Sequence, residues 1–224
     1  MNLGDLEVGD RERWERYITT GLHAFLFVDH VAADQKLRDV VDSLAEMVPG
    51  DDPEAPDHQP PTDHVVVLAA TETLGPFGAF VHLWAPPAGL AALQDFVAGP
   101  LLDLGIRCDY SVQGTAYTSP TGGVYPMKVK KCDVEAFVRI WLDATDDRDP
   151  FAVMAELSEL EGFQGAATVF GSFDLLLVLD GKSIGDVANV IMGKLRQIRG
   201  IARTETAFAD YHRYDADYVP YPYK

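Results

Sequence analysis

The sequence predicts an α+β chain made of two tandem ferredoxin-like βαββαβ domains, and three observations carry that expectation. Apolar runs of strand length alternate with stretches of helical periodicity in the order β-α-β-β-α-β, and the order occurs twice. Residues of the first pass fall on residues of the second: Ala24-Phe25 on Ala136-Phe137, Phe77 on Phe173, and Gly105-Ile106 on Gly200-Ile201. The 224 residues, 47% hydrophobic and 24% charged, have the balance of an ordinary globular protein.

In the first pass a strand runs over His23-Ala24-Phe25-Leu26-Phe27-Val28, followed by a helix over about 35–48 with Leu37, Val40, Val41, Leu44, Met47 and Val48 at helical spacing. Residues 49–63 hold five prolines and five acidic residues with little to bury, which predicts a surface loop. Strands over His64–Thr71 and Phe77–Trp84 are joined through Leu74-Gly75-Pro76, then come a helix near 90–104 and a strand from Ile106 to Tyr117. The offset between matching residues falls from 112 before the acidic loop to 96 after it, which marks the loop as an insertion.

The turn-rich stretch Ser119-Pro120-Thr121-Gly122-Gly123 leads to the second pass. Strand Ala136–Trp141 precedes a helix over 150–160, where Asp149 is placed to cap and Pro150 suits the first turn. Strands Gly165–Phe170 and Phe173–Leu179 meet at Gly171-Ser172, a helix covers 184–198, and the last strand runs from Ile201 to Tyr211. The expected organisation is an N-terminal extension (1–22), a first domain (23–118), a linker (119–132), a second domain (133–212) and a Tyr/Pro-rich tail (213–224). Tyrosines suit an interface, and prolines forbid a regular helix, so the tail reads either as an arm on a neighbouring subunit or as a loose terminus.

Charge narrows the partners. Asp and Glu number 35 against 18 Lys and Arg, a formal net charge of −17 with few lysines. Such a surface repels nucleic-acid phosphates and anionic membranes, and suits a protein kept soluble in high salt, as in a halophilic source. No run reaches the roughly 18 apolar residues of a membrane helix, and the start, Met1-Asn2-Leu3-Gly4-Asp5, is acidic where a signal peptide is basic, so a cytoplasmic location is expected. Cys108 and Cys132 are too few for a disulfide framework or a cysteine zinc site, and read as small buried hydrophobes or half-exposed thiols.

Two stretches of the second half resemble the effector-binding (RAM) domain of the Lrp/AsnC regulators. Gly171-Ser172-Phe173-Asp174-Leu175-Leu176-Leu177-Val178 is similar to that family's Gly-x-aromatic-Asp turn and strand. Ile198-Arg199-Gly200-Ile201-Ala202-Arg203-Thr204-Glu205-Thr206 is similar to its closing Pro-Gly-Val and Arg-Thr-x-Thr pattern. The first half departs from both: Gly78 stands where Asp174 stands, and Arg107-Cys108-Asp109-Tyr110 replaces the closing motif. Only 22 residues precede the first strand, short of the family's winged helix-turn-helix, which implies a stand-alone effector protein without direct DNA binding. The resemblance further implies a dimeric α/β barrel fold with the paired modules in one chain, homo-oligomeric assembly, and an amino-acid-type ligand bound near the Gly-x-aromatic-Asp turn.

Each candidate residue also has a plainer reading. Gly171 can take a positive φ and let a ligand approach the backbone, or can serve hairpin geometry alone. Asp174 opens an apolar strand, where an ionised carboxylate needs a partner; it can receive an α-ammonium or bond to the amides of its own turn. Ser172 belongs to the same turn. Thr204 and Thr206 share a face and can hold a carboxylate, although β-branched residues favour strands for shape alone. Arg203 and Glu205 fall on the opposite face and suit cross-strand or subunit-boundary ion pairs.

The six histidines lack metal-ligand spacing, so no metal site is expected. His82 shares a face with Gly78, Phe80 and Trp84; it and His30 are the candidates for a haem ligand or an acid/base, against the plainer reading of His82 as a hydrogen-bonded core residue. No P-loop, Gly-x-Ser-x-Gly or Gly-x-Gly-x-x-Gly sequence occurs. The leading expectation is a non-enzymatic, self-assembling metabolite-binding regulator with no bound cofactor. The rivals are a haem-dependent decarboxylase, peroxidase-like protein or monooxygenase on the same fold, and a purely structural assembly protein that has no ligand.

Overall fold

A computed structural model describes residues 21–30, 36–46, 65–103, 105–118 and 134–214. The acidic insertion 49–63, the linker with Cys132, most of the N-terminal extension, the tail beyond residue 214 and the side chain of His30 lie outside the described residues.

The element order is β1 (Leu22–His30), α1 (Leu37–Glu46), β2 (Val66–Leu74), β3 (Ala79–Ala85), α2 (Leu90–Ala98), α3 (Pro100–Asp103), β4 (Arg107–Thr118), β5 (Val134–Leu142), α4 (Pro150–Leu157), β6 (Phe163–Phe170), β7 (Leu175–Gly181), α5 (Ile184–Gly193), a 3-10 turn (Leu195–Gln197) and β8 (Ile201–Tyr214). The order β-α-β-β-α-β thus appears twice, as the sequence predicts. Boundaries differ where turn chemistry intervenes. The helix expected over 90–104 breaks at Gly99-Pro100, because proline donates no backbone N–H to the preceding turn. The helix expected over 184–198 ends at Gly193 and tightens into the 3-10 turn.

The chain forms two compact units. Unit 1 comprises residues up to Glu72, Phe77–Tyr110 and those from Tyr211; unit 2 comprises Thr73–Pro76 and Ser111–Asp210. In unit 1, β1 and β2 both pair antiparallel with β3. Ala24, Leu26 and Val28 on β1 pack with Val81 and Leu83 on β3 against Val40, Val41 and Leu44 of α1 and Leu93 of α2. The alternate face of these strands carries His23, Phe25, Phe27, Phe80 and His82, and these are buried too.

In unit 2 the sheet order is β8-β5-β7-β6, with the later part of β4 on the outer side of β6. Ala136, Val138 and Ile140 of β5 and Leu175, Leu177 and Leu179 of β7 meet Val153, Met154 and Leu157 of α4 and Val187 and Ile191 of α5. Each fully buried Leu or Ile contributes about 2 kcal/mol from burial alone. The caps are local: the Asp149 carboxylate accepts from Phe151 N at 2.9 Å with Pro150 in the first turn, and Ser183 Oγ accepts from Asp186 N at 3.2 Å. Among the described residues, no helix is long and apolar enough to cross a membrane.

Candidate functional site

The β6–β7 turn is longer than the sequence suggests, because β7 begins at Leu175 and not at Phe173. Phe173 is buried, whereas Gly171, Ser172 and Asp174 are exposed. Asp174 N donates to Ile140 O at 3.0 Å and Asp174 O accepts from Val169 N at 3.0 Å, so its backbone continues the ladder of β5, β7 and β6. Its carboxylate Oδ2 accepts from Leu142 N at 2.7 Å, the turn-bonding use that the sequence left open. The expectation of a positive φ at Gly171 is corrected: the described glycines in that region are Gly75, Gly105, Gly162 and Gly200. Glycine is required at 171 because a Cβ there would stand 2.0 Å from Ser111 Oγ on β4.

Trp141, on β5, joins this turn from the side. Its Nε1 donates to Ser172 O at 2.7 Å, and its ring meets Phe173 edge-on at 6.0 Å. Register places Arg203 directly opposite Trp141 and Glu205 opposite Arg139, on the sheet face away from α4 and α5. Arg139, with only 7% of its side chain exposed, pairs with Glu205 at 2.5 Å, and Glu205 in turn pairs with Arg203. The Arg203 guanidinium stands 4.5 Å from the Trp141 ring centroid, and that of Arg139 stands 5.7 Å from it.

Thr204 and Thr206 share a face, but a different one. They lie opposite Ile140 and Val138, whose side chains belong to the helix-covered core. Alternation from core-facing Leu175 turns Asp174 the other way. The structure therefore gathers Gly171, Ser172 and Asp174 with Trp141 and Arg203, and leaves the two threonines across the strand. Arg139 and Trp141 escaped sequence reading because they sit inside the apolar run from Ala136 to Leu142; the register of β5 against β8 shows what they face.

The corresponding place in the first half keeps the backbone and loses the acid. Gly78 N donates to Val28 O at 2.7 Å, as Asp174 N does to Ile140 O, and a Cβ at Gly78 would meet Leu37 at 2.8 Å.

In unit 1, His82 Nε2 and His23 Nδ1 are 3.0 Å apart and both rings are buried; Phe25 flanks His82 with ring centroids 5.1 Å apart. Burial first, and then the neighbouring His23, hold His82 well below the usual imidazole range, so it stays neutral. The pair agrees with the hydrogen-bonded core reading of His82 and, while it is made, leaves that nitrogen engaged. Cys108 is half-buried, and burial with nearby Asp109 and Asp29 pushes its thiol up to about 11, away from nucleophile chemistry. Among the described residues no cluster of His, Cys, Asp or Glu could hold a metal ion.

The family model described as Lrp/AsnC ligand binding domain matches residues 135–210, which run from β5 into β8. No protein among those of curated function matches the sequence. Among solved structures, the chain is similar to a siroheme decarboxylase, NirDL, in co-complex with an iron-uroporphyrin III analogue, at 11% identity and a TM-score of 0.55, covering 91% of this chain and 80% of that one. It is also similar to an anthrone oxidase-like protein at 10% identity and TM-score 0.52 (89% and 95% covered). A third neighbour is chlorite dismutase from Candidatus Nitrospira defluvii in complex with imidazole, at 13% identity and TM-score 0.51 (94% and 98% covered). These likenesses show the fold alone: mixed α+β with an antiparallel sheet of eight described strands, in which the order β-α-β-β-α-β occurs twice. Residues 135–210, with their Gly171-to-Asp174 turn and closing β8, are thus the part of the chain that is similar to the Lrp/AsnC ligand binding domain.

Proposed function

We propose that the chain is a non-enzymatic, self-assembling regulator whose second half binds a small metabolite of amino-acid type at the Gly171–Asp174 turn. The observation that carries this reading is the match of residues 135–210 to a ligand-binding family model, centred on a turn that exposes Ser172 and Asp174. Gly171, Ser172 and Asp174 form the ligand side of the turn, whereas Thr204 and Thr206, on β8 beyond β5, lie on the helix-covered face. A ligand that completes its site between subunits favours the assembled state by its differential affinity, so occupancy is read out as assembly. On this reading the working partners are the small molecule, further copies of the chain and a protein that senses the assembly, in the cytoplasm and without direct contact to nucleic acid or membrane.

A thermal-shift panel of the twenty amino acids at low and high KCl tests it. A ligand at about 100 times its Kd adds roughly 2.7 kcal/mol, equivalent to about 5–10 °C for a chain of this size. The reading expects a shift with a few amino acids that disappears in Asp174→Ala. A flat panel on folded protein contradicts it.

One observation favours a second reading, a haem-type enzyme: the fold is shared with a protein solved with an iron-uroporphyrin analogue. The residues fit this less well, since His82 Nε2 is held by His23 Nδ1 and is not presented to an iron. A Soret band in purified protein that vanishes in His82→Gln would support the haem reading against the first.

A further inference from the structure

Arg203, Trp141 and Asp174 stand in one row across three neighbouring strands, β8, β5 and the start of β7. The Arg203 guanidinium lies over the indole of Trp141, its side chain is 62% exposed, and among the described residues its ion-pair partner is Glu205, reached through one terminal nitrogen. A guanidinium offers five N–H donors in a fixed fork, so most of that fork faces solvent. Asp174 spends Oδ2 on Leu142 N, and among the described residues its Oδ1 has no hydrogen-bond partner. One exposed cation and one exposed carboxylate oxygen thus flank the indole at the turn where the ligand is placed.

Spacing and charge select the ligand chemistry. The β8 and β7 backbones lie two strand spacings apart, about 9.5 Å, and the Trp141 indole stands between them, so Arg203 and Asp174 approach the same small molecule from opposite sides of one row. Glu205 pairs with both Arg139 and Arg203, one carboxylate for two guanidinium groups, which leaves positive charge at the exposed Arg203 for a ligand carboxylate to meet, while Asp174 Oδ1 is left for an ammonium. We propose that Arg203 binds the α-carboxylate of an amino acid whose α-ammonium donates to Asp174 Oδ1, with Trp141 and the Arg139–Glu205 pair as positioning residues that hold the guanidinium in place. This rests on the amino-acid reading above and goes further: it assigns carboxylate recognition to Arg203 in place of Thr204 and Thr206, which face the core. Arg139 does not compete for that role, being buried and committed to Glu205.

Titration calorimetry on the full chain tests the assignment, using each of the twenty amino acids and, for any that bind, its α-amide and N-acetyl derivatives. Arg203→Gln is expected to weaken binding of the free amino acid at least tenfold while leaving the α-amide unchanged, because only the carboxylate meets the guanidinium. Asp174→Asn is expected to do the same to the free amino acid and leave the N-acetyl form unchanged. Arg203→Lys, which keeps the charge and loses the fork, falls between. If Arg203→Gln binds the free amino acid as the parent chain does, or weakens acid and amide equally, the assignment is overturned while the amino-acid reading stands. If the parent chain binds no amino acid, both are overturned.

Discussion

The indole N–H of Trp141 is bonded to the carbonyl oxygen of Ser172 at 2.7 Å, so a side chain on β5 fixes the exposed β6–β7 turn. A second tie is the Asp174 carboxylate on Leu142 N, one residue beyond Trp141. Trp141→Phe keeps a ring under Arg203 and removes the bond. A hydrogen bond of this kind contributes about 1 kcal/mol net, so the variant is expected to melt about 2–4 °C lower. Amide hydrogen exchange should rise in the turn around Ser172 and stay unchanged in α4 and α5.

The buried His23–His82 pair makes the stability of unit 1 depend on pH. His82 is neutral in the folded chain because its burial and its histidine neighbour lower its pKa, whereas in the unfolded chain it titrates near 6.5. Below pH 6.5 the unfolded state therefore binds the extra proton, and stability falls as pH falls, by at most about 1.4 kcal/mol per pH unit for this group. Melting temperatures between pH 7.5 and 5 should show the decline, and His82→Gln should flatten it.

Glu135 works in the other direction. It is buried opposite Asp180 on β7, and burial first, then Asp180, pushes its carboxyl up to about 8. The folded chain thus holds this proton where the unfolded chain has released it, so its contribution is complete below about pH 4.5 and is lost as pH rises through about 8. Glu135→Gln imitates the protonated form and is expected to raise stability at pH 8 by an amount bounded at roughly 4 kcal/mol, with little change near pH 4.5. Denaturant melts at the two pH values measure it.

Gly162 and Gly200 both adopt positive φ, +77° and +87°, yet they should not tolerate alanine equally. A Cβ at Gly162 would stand 2.0 Å from the carbonyl oxygen of Asp180, whereas at Gly200 the nearest atom is a flexible Arg148 carbon at 3.5 Å. Gly200→Ala carries the left-handed strain alone, about 1–2 kcal/mol. Gly162→Ala must also move backbone, and is expected to cost more in a denaturant melt.

The repeat and its element order were legible because strand and helix periodicities are local and because Ala24-Phe25 and Ala136-Phe137 mark the same place in each pass. The Asp149 cap was legible for the same reason. The grouping of candidate residues was not. Alternation correctly put Thr204 and Thr206 together and Arg203 and Glu205 opposite them, but which face meets the helices follows from the pairing of Ile140 with Thr204 and of Trp141 with Arg203. Likewise Gly171 is constrained by Ser111, sixty residues earlier in the chain, a contact that no local pattern records. His82 was legible as a core histidine; its partner His23 lies on another strand, set by the β1–β3 register.

The most direct test of the account is equilibrium dialysis of the full chain against labelled amino acids, with Asp174→Ala alongside. The account expects saturable binding of at least one amino acid at one molecule per chain, since Gly78 replaces the acid in the first half, and loss of that binding in a variant that still folds. Folded protein that retains no amino acid, or retention that Asp174→Ala leaves untouched, would contradict it.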